Sequence, residues 1–161
     1  MKRGFTLIEL LMVVAILSAL AVTVFVALNP AQRLKDANDA RRANDVGSIL
    51  SAIHTSIVDN KGNTPVSWPP TNVERQLGVA ATGCTISTGG CTVTDATCAN
   101  LMANGRNLGA YLASMPTDPL YDAAATLSAQ ATGYSIKVDS NGIVTIRACG
   151  TQGTTNIFSS R

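Results

Sequence analysis

Residues Met1 to Leu28 read MKRGFTLIELLMVVAILSALAVTVFVAL, and this stretch decides what the rest of the chain can be. Lys2 and Arg3 come first, then Gly4, then 24 residues from Phe5 to Leu28 whose only ionisable side chain is Glu9. As a helix rising about 1.5 Å per residue, that run is about 36 Å long. It is long enough to cross a hydrocarbon core about 30 Å thick. The basic pair is expected to hold the N-terminus on the cytoplasmic side and to send everything after Leu28 across.

Glu9 does not fit a plain anchor, because a carboxylate one turn into a lipid-spanning helix is costly. If the chain is cut between Gly4 and Phe5, Phe5 gains a free ammonium, and Glu9 lies four residues on along the same helix face. Two such charges 4 Å apart attract by about 4 kcal/mol at an effective dielectric near 20. The uncut chain offers Glu9 no such cation. Two plainer readings compete. Ala19-Leu20-Ala21 looks like a secretory cleavage site, but the apolar run continues seven residues beyond it. A single-pass anchor with an incidental acid is the other.

Gly4-Phe5-Thr6-Leu7-Ile8-Glu9-Leu10-Leu11 resembles the prepilin-peptidase site of type IV pilins and type II secretion pseudopilins. The resemblance implies that Gly4 ends a short basic leader and that Phe5 becomes the N-methylated first residue. It also implies that Glu9 guides docking into a growing filament. The match is close over residues 1–28 and looser beyond.

A chain of 161 residues leaves room for one anchor helix and one modest soluble domain. From Lys61 onward the aromatics are Trp68, Tyr111, Tyr121, Tyr134 and Phe158, so the core is thin and other supports are expected. Removing Lys2 and Arg3 from the 12 basic residues leaves ten against 10 acidic ones. That near-neutral balance argues against general nucleic-acid binding. Cys84, Cys91, Cys98 and Cys149 all follow the anchor, where an oxidising compartment favours disulfides. No C-x-x-C pair is present, which argues against zinc. Four cysteines allow three connectivities; proximity along the chain favours Cys84–Cys91 with Cys98–Cys149.

Asn29-Pro30 interrupts the helical pattern, because Pro30 has no N–H to donate. The helix either kinks there or stops and restarts with Pro30 at its first position. Similarity to pilins, which carry prolines in this helix, implies a joint that loosens on assembly. From Ala31 to Asp59 an amphipathic stripe runs through Leu34, Ala37, Ala40, Ala43, Val46, Ile49, Leu50, Ile53 and Ile57. Lys35, Asp39, Arg42, Asp45 and Ser48 take the other side. The alanine-rich first half suits close approach between subunits, and the Ile/Leu-rich second half suits a core. Phe5 to Asp59 as one helix would be about 80 Å long, more than a domain of this size can cover. His54 reads as a packed or capping residue.

Lys61-Gly62 ends the helix. Beyond it, Asn72 is expected to cap a short helix through Leu77, residues 82–94 to form a small hairpin, and Asp95 to cap a helix through Ala103. Leu108, Tyr111, Leu112 and Met115 suggest another helix. The clearest strands come late: Tyr134, Ile136 and Val138 alternate, Asp139-Ser140-Asn141-Gly142 turns, and Val144, Ile146 and Ala148 alternate again. Their apolar face should lie on the Ile/Leu half of the helix, with a third strand beside them. Residues 150–161 are expected to fray.

The run from Tyr111 to Pro119, with Gly133-Tyr134 and the Asp139 turn, resembles the C-terminal region of major pseudopilins, some of which bind calcium. Asp118, Asp122 and Asp139 would supply the oxygens. The spacing differs from the family's, and no metal site is expected. No cofactor is expected, and no catalytic constellation is recognisable, so the chain does not read as an enzyme.

The fold class expected is α+β and pilin-like: a long N-terminal α-helix, membrane-spanning in its first half, packed against a small antiparallel β-sheet. Residues 1–4 form the leader, 5–28 the transmembrane and filament-core helix, 29–60 its amphipathic continuation, and 61–161 a disulfide-stabilised head. The resemblance implies a structural subunit of a type IV pilus-like filament. Its partners would be identical or related pilins, the prepilin peptidase and methylase, the inner-membrane assembly machinery, and membrane lipid before assembly. The chain would be single-pass, with a cytoplasmic leader and an extracytoplasmic head, and would end in an extracellular or periplasmic filament. A type II secretion pseudopilin and a monomeric membrane-anchored binding module are the alternatives. The cysteine-rich stretch 82–98 favours the pilus.

Overall fold

Thr6 starts the first helix. The structure, a computed structural model, describes residues 4–103, 105–119, 130–153 and 156–161. Helix α1 spans Leu7–Leu28, with Thr6 as its N-cap in an extended conformation. Its two interior hydroxyls bond back to the helix: Ser18 Oγ donates to the Val14 carbonyl and Thr23 Oγ1 to that of Leu20, each at 2.8 Å. These two hydroxyls therefore need no water, as hydroxyls in a lipid-facing helix require. None of the α1 residues is buried. Asn29 ends α1 at φ 40°, ψ 70°, a left-handed conformation that Asn tolerates better than most residues. The Asn29 carbonyl then accepts from the Gln32 and Arg33 amides (3.0 and 3.2 Å). Pro30 opens helix α2, Pro30–Asp59. Of the two alternatives for Asn29-Pro30, the backbone thus takes the stop and restart.

The chain divides into two units, Met1–Lys35 and Asp36–Arg161. In the second, the part of α2 from Asp36 onward packs Val46, Ile49, Leu50 and Ile53 into one core with Tyr134, Ile136, Val138, Val144, Ile146 and Ala148. Those last six come from strands β2 (Tyr134–Val138) and β3 (Val144–Ala148), which pair antiparallel with Ile136 opposite Ile146. Strand β1 (Glu74–Gln76) pairs with β2, and β4 (Phe158–Ser160) with β3, giving a sheet in the order β1-β2-β3-β4. The α+β arrangement expected is the one observed. The Ile/Leu half of α2 carries the sheet, and α2 ends where expected, with the Gly62 amide bonded back to the Ile57 carbonyl at 2.8 Å.

Several local expectations are overturned by long-range pairing. Asn72 caps no helix; it takes φ 64° and donates its N–H to the Val138 carbonyl (2.7 Å), delivering residues 74–76 to the sheet edge. The 82–94 hairpin shrinks to a single antiparallel bridge, Ile86 opposite Val93. Asp95 does accept from the Thr97 amide at 2.9 Å, but no helix follows. The Cys98 and Ala99 amides bond sideways instead, to the Ala80 and Gln76 carbonyls. Of the helix expected around residues 108–115, only a 3₁₀ turn forms, Leu108–Ala110. In the β2–β3 connection only Gly142 is left-handed (φ 83°), and Asp139 Oδ1 holds the Asn141 and Ile143 amides at 2.8 Å. The connection therefore runs over residues 139–143, with Gly142 in the left-handed position, and falls on the stretch expected to turn. The tail does not fray at its end: β4 pairs, and Arg161 exchanges two backbone bonds with Val144.

Candidate processing and assembly site

Gly4, Phe5 and Thr6 precede α1 in non-helical backbone. Phe5 is 86% exposed, and nothing lies within 4 Å of a Cβ built on Gly4. Both residues that flank the Gly4–Phe5 bond are thus exposed. One turn further on, Glu9 closes a capping box with Thr6. The Thr6 amide and hydroxyl both donate to Glu9 Oε2 (2.9 and 2.7 Å), and the Glu9 amide donates to Thr6 Oγ1 (3.3 Å). Such a box satisfies orphan donors of the first helical turn reciprocally. It also supplies the carboxylate with partners in the uncut chain, where sequence reasoning found no cation for it. Thr6 is the residue that reasoning missed, although Thr6-Leu7-Ile8-Glu9 has the T-x-x-E spacing that announces a capping box.

The remaining residues singled out from sequence lie elsewhere. Cys84 pairs with Cys98 and Cys91 with Cys149, which overturns the pairing favoured by proximity. The Ile86–Val93 bridge explains it: continuing that register places Cys84 opposite Asp95 and Cys91 opposite Thr88, so the two cysteines never face each other. Each sulfur pair has its own small cluster, one with Ala131 and the other with Val93. His54 is half-buried, and its Nε2 has no hydrogen-bond partner.

Arg42, assigned to the solvated side of α2, is fully buried. Its Nε and Nη2 donate to the two carboxylate oxygens of Asp118 (2.8 and 2.6 Å), and its Nη1 donates to Asp39 Oδ1 (2.6 Å). Asp39 in turn accepts the Gln152 and Gly153 amides (3.2 and 2.9 Å). The helix is thereby tied to two distant segments. Burial would raise the Asp39 carboxyl, but the Gln152 amide, Arg42 and the Gly153 amide outweigh it and hold it below the usual carboxylate range. Burial likewise works against the Arg42 cation, and the two carboxylates more than restore it. With both oxygens of Asp118 on Arg42 and Oδ1 of Asp139 in a turn, these two acids serve structure. Asp122, Lys2 and Arg3 lie outside the described residues.

The family description "prokaryotic N-terminal methylation motif" matches residues 1–25, which include Gly4, Phe5 and Glu9. The chain therefore carries the N-terminal signature of type IV pilins and pseudopilins, and that signature supports a pilin-like or pseudopilin protein. No curated protein and no solved structure matches the chain. Among the described residues, one stretch is long and apolar enough to cross a membrane, and it lies near the N-terminus within Leu7–Asp59.

Proposed function

We propose that the chain is a structural subunit of a type IV pilus-like filament. Prepilin peptidase cuts between Gly4 and Phe5, Phe5 is N-methylated, and the subunit waits in the membrane until it is drawn into a helical polymer. The observation that carries this reading is α1 itself. It is a 22-residue apolar helix with no buried residue, opened by an exposed Gly-Phe bond and a capped glutamate. A surface of that kind needs lipid or other helices around it. Contacts that do not close on themselves extend copies into an open filament.

Within the filament, Glu9 exchanges or shares its capping partners with the Phe5 ammonium of a neighbouring copy, which exists only after cleavage. The disulfide-tied stretch 82–98 is an elaboration more useful on a filament surface than in a short secretion pseudopilus, and it favours the pilus over the pseudopilin. N-terminal sequencing of the protein recovered from cells tests the reading: N-methyl-phenylalanine is expected. A functional extracellular protein still beginning at Met1 would overturn it, and a retained leader on a monomer would favour the anchored binding module. Glu9→Leu should leave processing and stability intact and cut recovery in sheared filaments at least tenfold.

A further inference from the structure

We infer that Arg33 and Lys35 form a collar that binds lipid headgroup phosphates in the leaflet beyond Leu28 and so fixes the depth of α1 in the membrane. The inference rests on the membrane-anchored reading alone, not on cleavage or filament assembly.

The two residues are the first cations after the apolar run, five and seven positions past Leu28. Both are exposed, and neither enters an ion pair among the described residues. At about 1.5 Å per residue they lie about 8 and 10 Å beyond Leu28, and a headgroup layer is about 5–7 Å deep on each side. Long basic stems reach back over such distances with the charged tip in the polar layer. Two residues apart on a helix means about 200° around its axis, so the cations point to opposite sides. That arrangement makes a collar and not a patch, and it resists sinking whichever way the helix tilts. Chemically the ligand is a phosphodiester, which the guanidinium and the ammonium both recognise.

The depth has a consequence for Glu9. With Leu28 held at one boundary of the hydrocarbon, Glu9, 19 residues earlier, falls about 28 Å away along the axis. That is the opposite boundary of a core about 30 Å thick. Helical side chains lean towards the N-terminus, so the carboxylate and its Thr6 cap reach the polar layer instead of the hydrocarbon.

The test uses the full, uncut chain in washed vesicles of phosphatidylglycerol and phosphatidylcholine in phosphate-free buffer. Carbon–phosphorus dephasing in solid-state NMR should appear at Arg33 Cζ and Lys35 Cε. Its absence in vesicles that carry the chain on flotation would overturn the collar and leave the anchored reading standing. A chain that fails to float would overturn both. In maltoside micelles with inorganic phosphate the same carbons should show no dephasing, and equal dephasing there would mean a free-phosphate site and sink the lipid assignment. Aqueous Mn²⁺ should broaden Glu9 Cδ as strongly as Arg33 Cζ; a shielded Glu9 would overturn the depth.

Discussion

At the scale of single residues, Arg42 does the least expected work. A fully buried guanidinium is tolerable only because Asp118 takes two of its donors and Asp39 a third. Removing one partner of such a pair costs far more than removing both, because a charge is left buried and unanswered. Arg42→Met should therefore destabilise the chain by about 3–5 kcal/mol, and Arg42→Met with Asp118→Leu should recover most of that loss. Urea unfolding in detergent, followed by Trp68 fluorescence, measures both. Gly150 belongs to the same arrangement, since a Cβ there would meet Asp118 Oδ2 at 2.5 Å. None of this was legible in the sequence, where Arg42 and Asp39 look like an ordinary exposed pair and Asp118 lies 76 residues away. Tyr134 offers a pH handle. Burial, then the 2.7 Å bond it donates to Asp45 and that carboxylate's charge, hold the phenol neutral well above its ordinary range. The unfolded chain loses this proton near pH 10 while the folded chain keeps it, so stability falls as pH rises beyond about 10, by about 1.4 kcal/mol per pH unit. Tyr134→Phe should flatten that alkaline limb in chemical denaturation, whatever it costs at pH 7.

At the scale of elements, what the sequence revealed follows the strength of the local pattern. The apolar run became α1, the mixed stripe became α2, and the two alternating runs became β2 and β3, because each carries one periodic pattern over several residues. Short segments obeyed their neighbours instead. Residues 72–77 open with a helix-start signal at Asn72, yet 74–76 become a strand because β2 offers an edge and Glu74 finds Ser135 and Thr92 to bond. Cysteine pairing failed for the same reason: spacing along the chain does not fix which way a loop faces. The observed bridges have different weights. Cys91–Cys149 spans 58 positions and Cys84–Cys98 spans 14, so loop-closure entropy assigns them about 4 and about 3 kcal/mol respectively. The long bridge also sits where Thr88 Oγ1 donates to the Cys149 carbonyl at 2.7 Å. Replacing Cys91 and Cys149 by serine should thus lower the urea midpoint more than replacing Cys84 and Cys98. The reverse order would mean that the loops, not the chain entropy, carry the stabilisation.

At the scale of the whole molecule, the hydrophobic core and the apolar surface lie in different stretches of the chain. All members of the main core cluster fall between Val46 and Ala148, whereas the longest exposed apolar series runs from Phe5 to Leu28. Residues 36–161 hold eight basic and nine acidic side chains, so they are nearly neutral as a body. Near-neutral heads can be brought together without the self-repulsion that strong net charge imposes, and among their described residues few large apolar side chains are exposed. In the proposed filament, attraction between copies then resides in the N-terminal helix, with little net charge on the head to oppose it. The expected outcome is sharp. Residues 36–161, secreted to an oxidising compartment, should fold with both disulfides and elute as a monomer at tens of micromolar on size exclusion, while the full chain needs detergent or lipid. If the shortened chain instead formed stable oligomers, head-to-head contacts would be driving assembly, and α1 would be reduced to a tether.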